Sequence, residues 1–168
     1  MGRVVTQREL ASALDGERAA RRRIVLTNGC FDLLHVGHLR SLRAARALGD
    51  TLVVGLNSDA SVRAIKGEDR PLVPEAERAE LLAALEPVDY VVLFDEPTAE
   101  RLAALVRPAV YAKGGDYASP AGGAIDESRL PEARVVASHG GRTELIPLVA
   151  GRSTTALVAM IRRGVDPA

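Results

Sequence analysis

Lysine is almost absent from this chain. It occurs only at Lys66 and Lys113, so arginine supplies the other twenty of the 22 basic residues. Asparagine is as rare, at Asn28 and Asn57. There is no tryptophan, aromatic residues make up 3% of the whole, and Cys30 is the single cysteine. Each shortage excludes something. One cysteine permits neither an internal disulfide nor a Cys-rich zinc site. So few aromatic rings cannot build a stacking platform for single-stranded nucleic acid. A formal net charge of zero lacks the broad basic footprint that binds a phosphate backbone. No apolar run approaches the ~18 residues of a membrane span. Arg21-Arg22-Arg23 precedes only "IVLT", too short an apolar stretch for a twin-arginine signal. The expectation is a cytoplasmic protein with neither nucleic acid nor membrane as partner.

What is present suffices for one ordinary domain: 168 residues, 47% of them hydrophobic. Thr6 with Glu9 forms a capping box that opens a helix reaching about Ala20. "RIVLTN" reads as a buried strand ending at Asn28. Leu39, Leu42, Ala45 and Leu48 recur at helical spacing, so a helix is predicted from Val36 to Leu48. "TLVVGLN" is a second strand, "SDAS" caps a short helix, and "KGEDRPLVP" is a loop. A helix over Glu75 to Leu85, a strand "DYVVLF", a helix "TAERLAALV" capped by Thr98, and a strand "AVYA" ending at Lys113 follow. "ARVVAS" and "TELIPL" read as two further strands. Ser153 caps a last helix from Thr154 to Arg163. Strands alternate with helices, which predicts a Rossmann-like doubly wound α/β fold, with a mostly parallel sheet and helices on both faces. Residues 1–22 are expected as a helix and lead-in, and 23–168 as the functional domain.

The rare polar residues now fall into a pattern. Asn28, Asn57 and Lys113 stand at predicted carboxyl ends of strands, and Lys66 lies shortly after one. In open α/β sheets the ligand crevice lies outside those ends. Two of the three histidines, His35 and His38, flank Gly37 at the start of the helix after the first strand. A helix start offers unpaired N–H groups and partial positive charge, which attract anions. Gly37 lets the backbone approach a ligand. Two imidazoles there can donate to phosphate oxygens without permanent charge. A metal pair and a merely solvated or capping pair are the alternatives, although no H-E-x-x-H pattern supplies a metal motif. Walker A and G-x-G-x-x-G sequences are both missing. Cys30 has no base adjacent in sequence and reads as a small buried residue. His139 lies outside every motif and reads as a surface turn residue.

"TNGCFDLLHVGHLRSL" resembles the H-x-G-H nucleotidyltransferases of the cytidylyltransferase-like group. The resemblance continues through "LNSDASVRAIKGEDRP", "ERAELLAALEPVDYVVLF", "KGGDY" and "GRSTTALV", in order, from about Arg23 to Arg163. It is nearest to the adenylyltransferase domains that act on D-glycero-β-D-manno-heptose 1-phosphate, here expected in free-standing form. It implies transfer of AMP from ATP, with Mg²⁺, to that sugar 1-phosphate, giving ADP-heptose and pyrophosphate. A CTP-dependent cytidylyltransferase for glycerol 3-phosphate or a similar alcohol phosphate is the first alternative. A nucleotide-binding subunit without turnover is the second. The resemblance is also compatible with a homodimer.

The resemblance carries roles to individual residues. His35 and His38 become the phosphate-binding pair, with His38 nearest the α- and β-phosphates. Lys66 becomes a phosphate contact, its alternative a solvated loop charge. Thr27, Asn28, Gly29, Cys30, Phe31 and Gly37 surround the nucleotide's phosphates. Lys113, Gly114 and Asp116 pass near the nucleoside, unless they form only a glycine-pair turn. Ser153, Thr154 and Thr155 offer a second helix start to an anion, or plain capping. Asp32, Asn57, Asp59 and Arg78 are placed on the acceptor side, and Asp32 doubles as a candidate Mg²⁺ ligand. Bland readings stand beside these: a turn carboxylate for Asp32, a helix cap for Asp59, a surface arginine for Arg78. Ala109 and Ala112 depart from the family's usual acidic residue and valine, and 118–134 matches only loosely, which leaves the acceptor less defined than the reaction.

Overall fold

The computed structural model describes residues 1–114, 125, 129–147 and 153–164. In chain order the elements are β1 (Arg3–Val5), α1 (Gln7–Ala19), β2 (Ile24–Gly29), α2 (Val36–Arg46), β3 (Thr51–Asn57), α3 (Asp59–Lys66), α4 (Glu75–Ala84), β4 (Tyr90–Phe94), α5 (Glu100–Val106), β5 (Val110–Gly114), α6 (Glu132–Ser138), β6 (Arg142–Ile146) and α7 (Thr154–Arg163). The six strands form one sheet in the order β1-β4-β3-β2-β5-β6, with every pair parallel. The Rossmann-like α/β expectation is met.

Strand periodicity splits the core into two layers. On β2, Ile24 and Leu26 face one way, packing with Leu10 and Leu14 of α1, Leu102 and Val106 of α5, and Val136 of α6. Val25 faces the other way, against Leu42 and Ala45 of α2 and Leu82 of α4. All seven residues of β3 are buried, as expected of a central parallel strand covered on both faces. The chain winds outward from β2 through β3 to β4, then returns to place β5 on the other side of β2. The reversal falls between β2 and β5. Their diverging connections open a crevice at the carboxyl ends Gly29 and Gly114, where such sheets hold ligands.

Four local readings are corrected. "ARVVAS" is helix α6, not a strand: Ala133 and Val136 are buried at three-residue spacing, a helical face that outweighs the β-branched pair Val135-Val136. Thr98 does not cap α5. The cap position is Ala99, whose N–H donates to Glu132 Oε1 at 2.7 Å, while Thr98 Oγ1 donates to Glu100. Lys66 is the last residue of α3 rather than part of the loop after it. The lead-in includes strand β1, which pairs with β4, so residues 1–22 extend the same sheet and core. The Thr6–Glu9 capping box and the Ser153 cap of α7 form as expected.

Candidate active site

The connection from β2 to α2 is built to aim a helix start at a strand end. Phe31 and Leu33 both adopt left-handed backbone, at φ 47° and 46°. Side chains other than glycine rarely do so, and such strain collects at functional loops. A Cβ on Gly29 would come within 3.2 Å of the Phe31 ring, so glycine leaves room for that ring beside the strand end. The Phe31 ring in turn stands 5.4 Å from His38, which stacks on His35 at 4.0 Å.

The two histidines cap α2 with their own rings. The Gly37 N–H donates to His35 Nδ1 at 3.1 Å, and the His35 N–H donates to His38 Nδ1 at 3.4 Å. A neutral ring that accepts at Nδ1 carries its proton on Nε2. Capping therefore fixes the tautomer that presents an N–H to an anion, and the capping and phosphate readings coexist. Burial pushes the His38 pKa down to about 4, and the positive charges of His35 and Lys66 add to the effect. At neutral pH, His38 is an uncharged donor. It lines the crevice, whereas His35 stands behind it.

That crevice has a volume of about 460 Å³, within the range of small-molecule sites. Its floor is Thr27, Asn28 and Gly29 from β2 and Cys30 just after it, with Lys113 and Gly114 from β5. Asn28 Oδ1 accepts from the Tyr111 hydroxyl at 2.6 Å and from Lys113 Nζ at 2.8 Å. With the carbonyl so occupied, the amide nitrogen of Asn28 is left for the crevice. Burial pushes the Cys30 thiol up, so it stays protonated and does not repel phosphate. Asn57 and Lys66 line the side formed by β3 and α3, and Thr154 closes the rim from α7. Thr154 Oγ1 donates to the Asp32 carbonyl at 2.8 Å, tying the start of α7 to the β2–α2 connection. Ser153 caps α7 by accepting from the Ala156 N–H, and Thr155 is exposed away from the crevice lining. Asp116 lies outside the described residues.

Three residues expected on the acceptor side have other work. Asp32 is 4% exposed, and its carboxylate accepts from Arg70 at 2.7 Å and from the Leu72 and Val73 N–H groups at 3.0–3.1 Å. Burial alone would raise its pKa, but the Leu72 amide, Arg70 and the Val73 amide outweigh that and hold it below the ordinary carboxylate range. Although Asp32 borders the crevice, its oxygens anchor the 67–74 loop. Arg78 is 1% exposed and donates to the carbonyls of Val73, Cys30 and Asn57 and to Asp59 Oδ1 at 2.6 Å. Neither Arg78 nor Asp59 lines the crevice. The arginine instead locks the β2–α2 connection, the end of β3 and the loop before α4 into one piece. Among the described residues, no group of three or more His, Cys, Asp or Glu side chains could hold a metal ion.

Sequence reasoning missed Ser41, Thr98, Arg129 and Glu132, which also line the crevice. Ser41 was accessible, since it follows His38 by three residues on the same face of α2. The other three gave no local signal. They come from the α5 and α6 starts, whose positions depend on the sheet order.

A sequence model described as Cytidylyltransferase-like matches residues 26–154. The "Bifunctional protein HldE" of Geobacter metallireducens is 54% identical over 92% of this chain and 30% of its own length. The protein of the same name from Geotalea uraniireducens is 53% identical, again over 92% and 30%. The chain thus spans about 30% of the length of these curated relatives. A crystal structure described as the lipopolysaccharide core biosynthesis protein from Thermoplasma volcanium GSS1 superposes with a TM-score of 0.58 at 26% identity, covering 76% of this chain and 97% of that one. With its sheet order, its histidine-capped helix start and these matches in agreement, the chain belongs to the cytidylyltransferase-like family.

Proposed function

We propose that this chain is an adenylyltransferase that transfers AMP from ATP to D-glycero-β-D-manno-heptose 1-phosphate, giving ADP-heptose and pyrophosphate. The observation that carries this reading is the uncharged His38 Nε2–H, fixed by capping at the start of α2, facing a crevice that also holds Lys66 and Lys113. The acceptor's phosphate oxygen is already an anion at neutral pH, so its attack on the α-phosphorus requires no general base. What remains for the protein is alignment and stabilisation of the charge that develops on the α-phosphate and the departing pyrophosphate. His38 supplies a donor to the triphosphate, at the positive end of the α2 dipole. Lys66 supplies a compact, adaptable charge for the acceptor phosphate. Asn28, Lys113 and Gly114 border the nucleoside, and Asn57 borders the acceptor. A divalent cation, Mg²⁺, enters with the triphosphate as part of the substrate. High identity to the HldE proteins and the lipopolysaccharide core description of the structural relative both favour a sugar acceptor. Pyrophosphate release, measured with ATP or CTP and with heptose 1-phosphate or glycerol 3-phosphate, tests the reading. Release is expected with ATP and the heptose phosphate; release with CTP alone overturns it.

A further inference from the structure

Glu132 is a buried carboxylate that nothing above uses. It is 5% exposed yet lines the crevice, on the wall with Pro97 and Thr98 and across the floor from α2. Oε1 accepts from the Ala99 N–H at 2.7 Å. Oε2 has no hydrogen bond among the described residues, and no buried side-chain oxygen or nitrogen is left without a partner. Oε2 therefore opens on the crevice. A carboxylate is expensive to bury, and its second oxygen, accessible from the crevice, is available to a donor on a ligand.

We propose that Glu132 is a specificity-determining residue of the acceptor site and that Oε2 accepts a hydrogen bond from a hydroxyl of the sugar phosphate. The proposal rests on the adenylyltransferase reading and names the group that recognises the uncharged part of the acceptor. Three features direct it to the acceptor rather than to the nucleotide. A carboxylate repels phosphate, so the triphosphate belongs at the His38 and α2 side. Glu132 is tied through Ala99 to the connection after β4, and that connection meets α3 where Ser61 donates to the Glu96 carbonyl. Asn57 and Lys66, at the ends of β3 and of that same α3, line the crevice as well. A molecule with phosphate at Lys66 and hydroxyl groups beyond it finds a cation for one end and an acceptor for the other. An alcohol phosphate without a further hydroxyl covers Oε2 without matching it, and the site discriminates against it because a polar oxygen cut off from water by the ligand stays unpaired.

Glu132→Gln isolates the claim. The glutamine carbonyl keeps the Ala99 bond, while an amide N–H₂ replaces the Oε2 acceptor. Wild-type protein is assayed first for pyrophosphate release with ATP and the sugar 1-phosphate. Absence of release sinks the adenylyltransferase reading itself, before any variant is made. With the wild type active, E132Q is expected to raise KM for the sugar phosphate ~10-fold or more and to leave KM for ATP unchanged. Monodeoxy sugar phosphates supply the second measurement, on wild-type protein alone. One of them should show the same rise in KM and no further rise in E132Q. An unchanged acceptor KM in E132Q, a rise in the KM for ATP instead, or equal KM values for every deoxy sugar overturns the proposal.

Discussion

His38 is held neutral by its surroundings, and two consequences can be measured. Burial is the largest cause, followed by the charges of His35 and Lys66, and together they take its pKa to about 4. An unfolded chain gives histidine a pKa of about 6.5. Between those values the unfolded state binds a proton that the folded ring refuses, so stability is complete above about pH 6.5 and is lost as pH falls towards 4. Urea unfolding at pH 7.5 and pH 5 should show a smaller loss in His38→Gln than in wild type; an equal loss contradicts the neutral ring. Asp32 does not blur this window, because its stabilisation is lost only as pH falls from the ordinary carboxylate pKa of about 3.9 towards its lowered folded value. The second consequence is catalytic. His38→Ala removes one fixed donor from the developing charge, worth about 10²–10³-fold in kcat at comparable sites. Steady-state kinetics at a temperature where the variant is folded should show that fall, beside the ~1 kcal/mol that loss of the cap on the His35 N–H costs.

Among the elements, the piece most exposed to test is the buried fork of Arg78. It joins the β2–α2 connection, the end of β3 and the 67–74 loop, and its charge is matched by Asp59. Arg78→Ala leaves three carbonyls and a carboxylate without their donor, and breaking such a buried pair costs about 3–5 kcal/mol. Arg78→Lys should recover little of it, since one ammonium cannot reach the directions that a planar guanidinium serves. Denaturant unfolding of both variants checks this, and a lysine variant as stable as wild type refutes it. Arg78 also shows how far sequence reasoning reaches. Its partners are 5, 19, 21 and 48 residues away along the chain, and nothing in "EAERAELL" marks this arginine as internal rather than as a surface charge. His35 and His38 were legible because a helix start fixes what three-residue spacing does. Asn28 and Lys113 were legible because strand ends in a doubly wound sheet converge. Glu132 was not legible, since "ARVVAS" reads as a strand until Ala133 and Val136 are seen to share one buried helical face.

At the scale of the molecule, the crevice exists only because the sheet reverses between β2 and β5, and the segment farthest from it supports that reversal. The strand β1 closes one edge of the sheet by pairing with β4, and α1 covers the layer that also contains α5 and α6. Leu10 and Leu14 of α1 are wholly buried in that layer. The α5 and α6 starts that form the Glu132 wall rest on the same layer. Sequence alone placed residues 1–22 as a lead-in, because a three-residue strand has no periodicity to read. If that segment belongs to the core, Leu14→Ala should cost about 2–5 kcal/mol, as truncation of a buried leucine does. Removal of residues 1–22 should do more, exposing the apolar layer and baring the β4 edge to pairing with other chains. Urea unfolding followed by circular dichroism should then show loss of the single cooperative transition, with a concentration-dependent increase in size by light scattering. A truncated chain that unfolds cooperatively with wild-type stability would show instead that the sheet from β4 to β6 holds the crevice by itself.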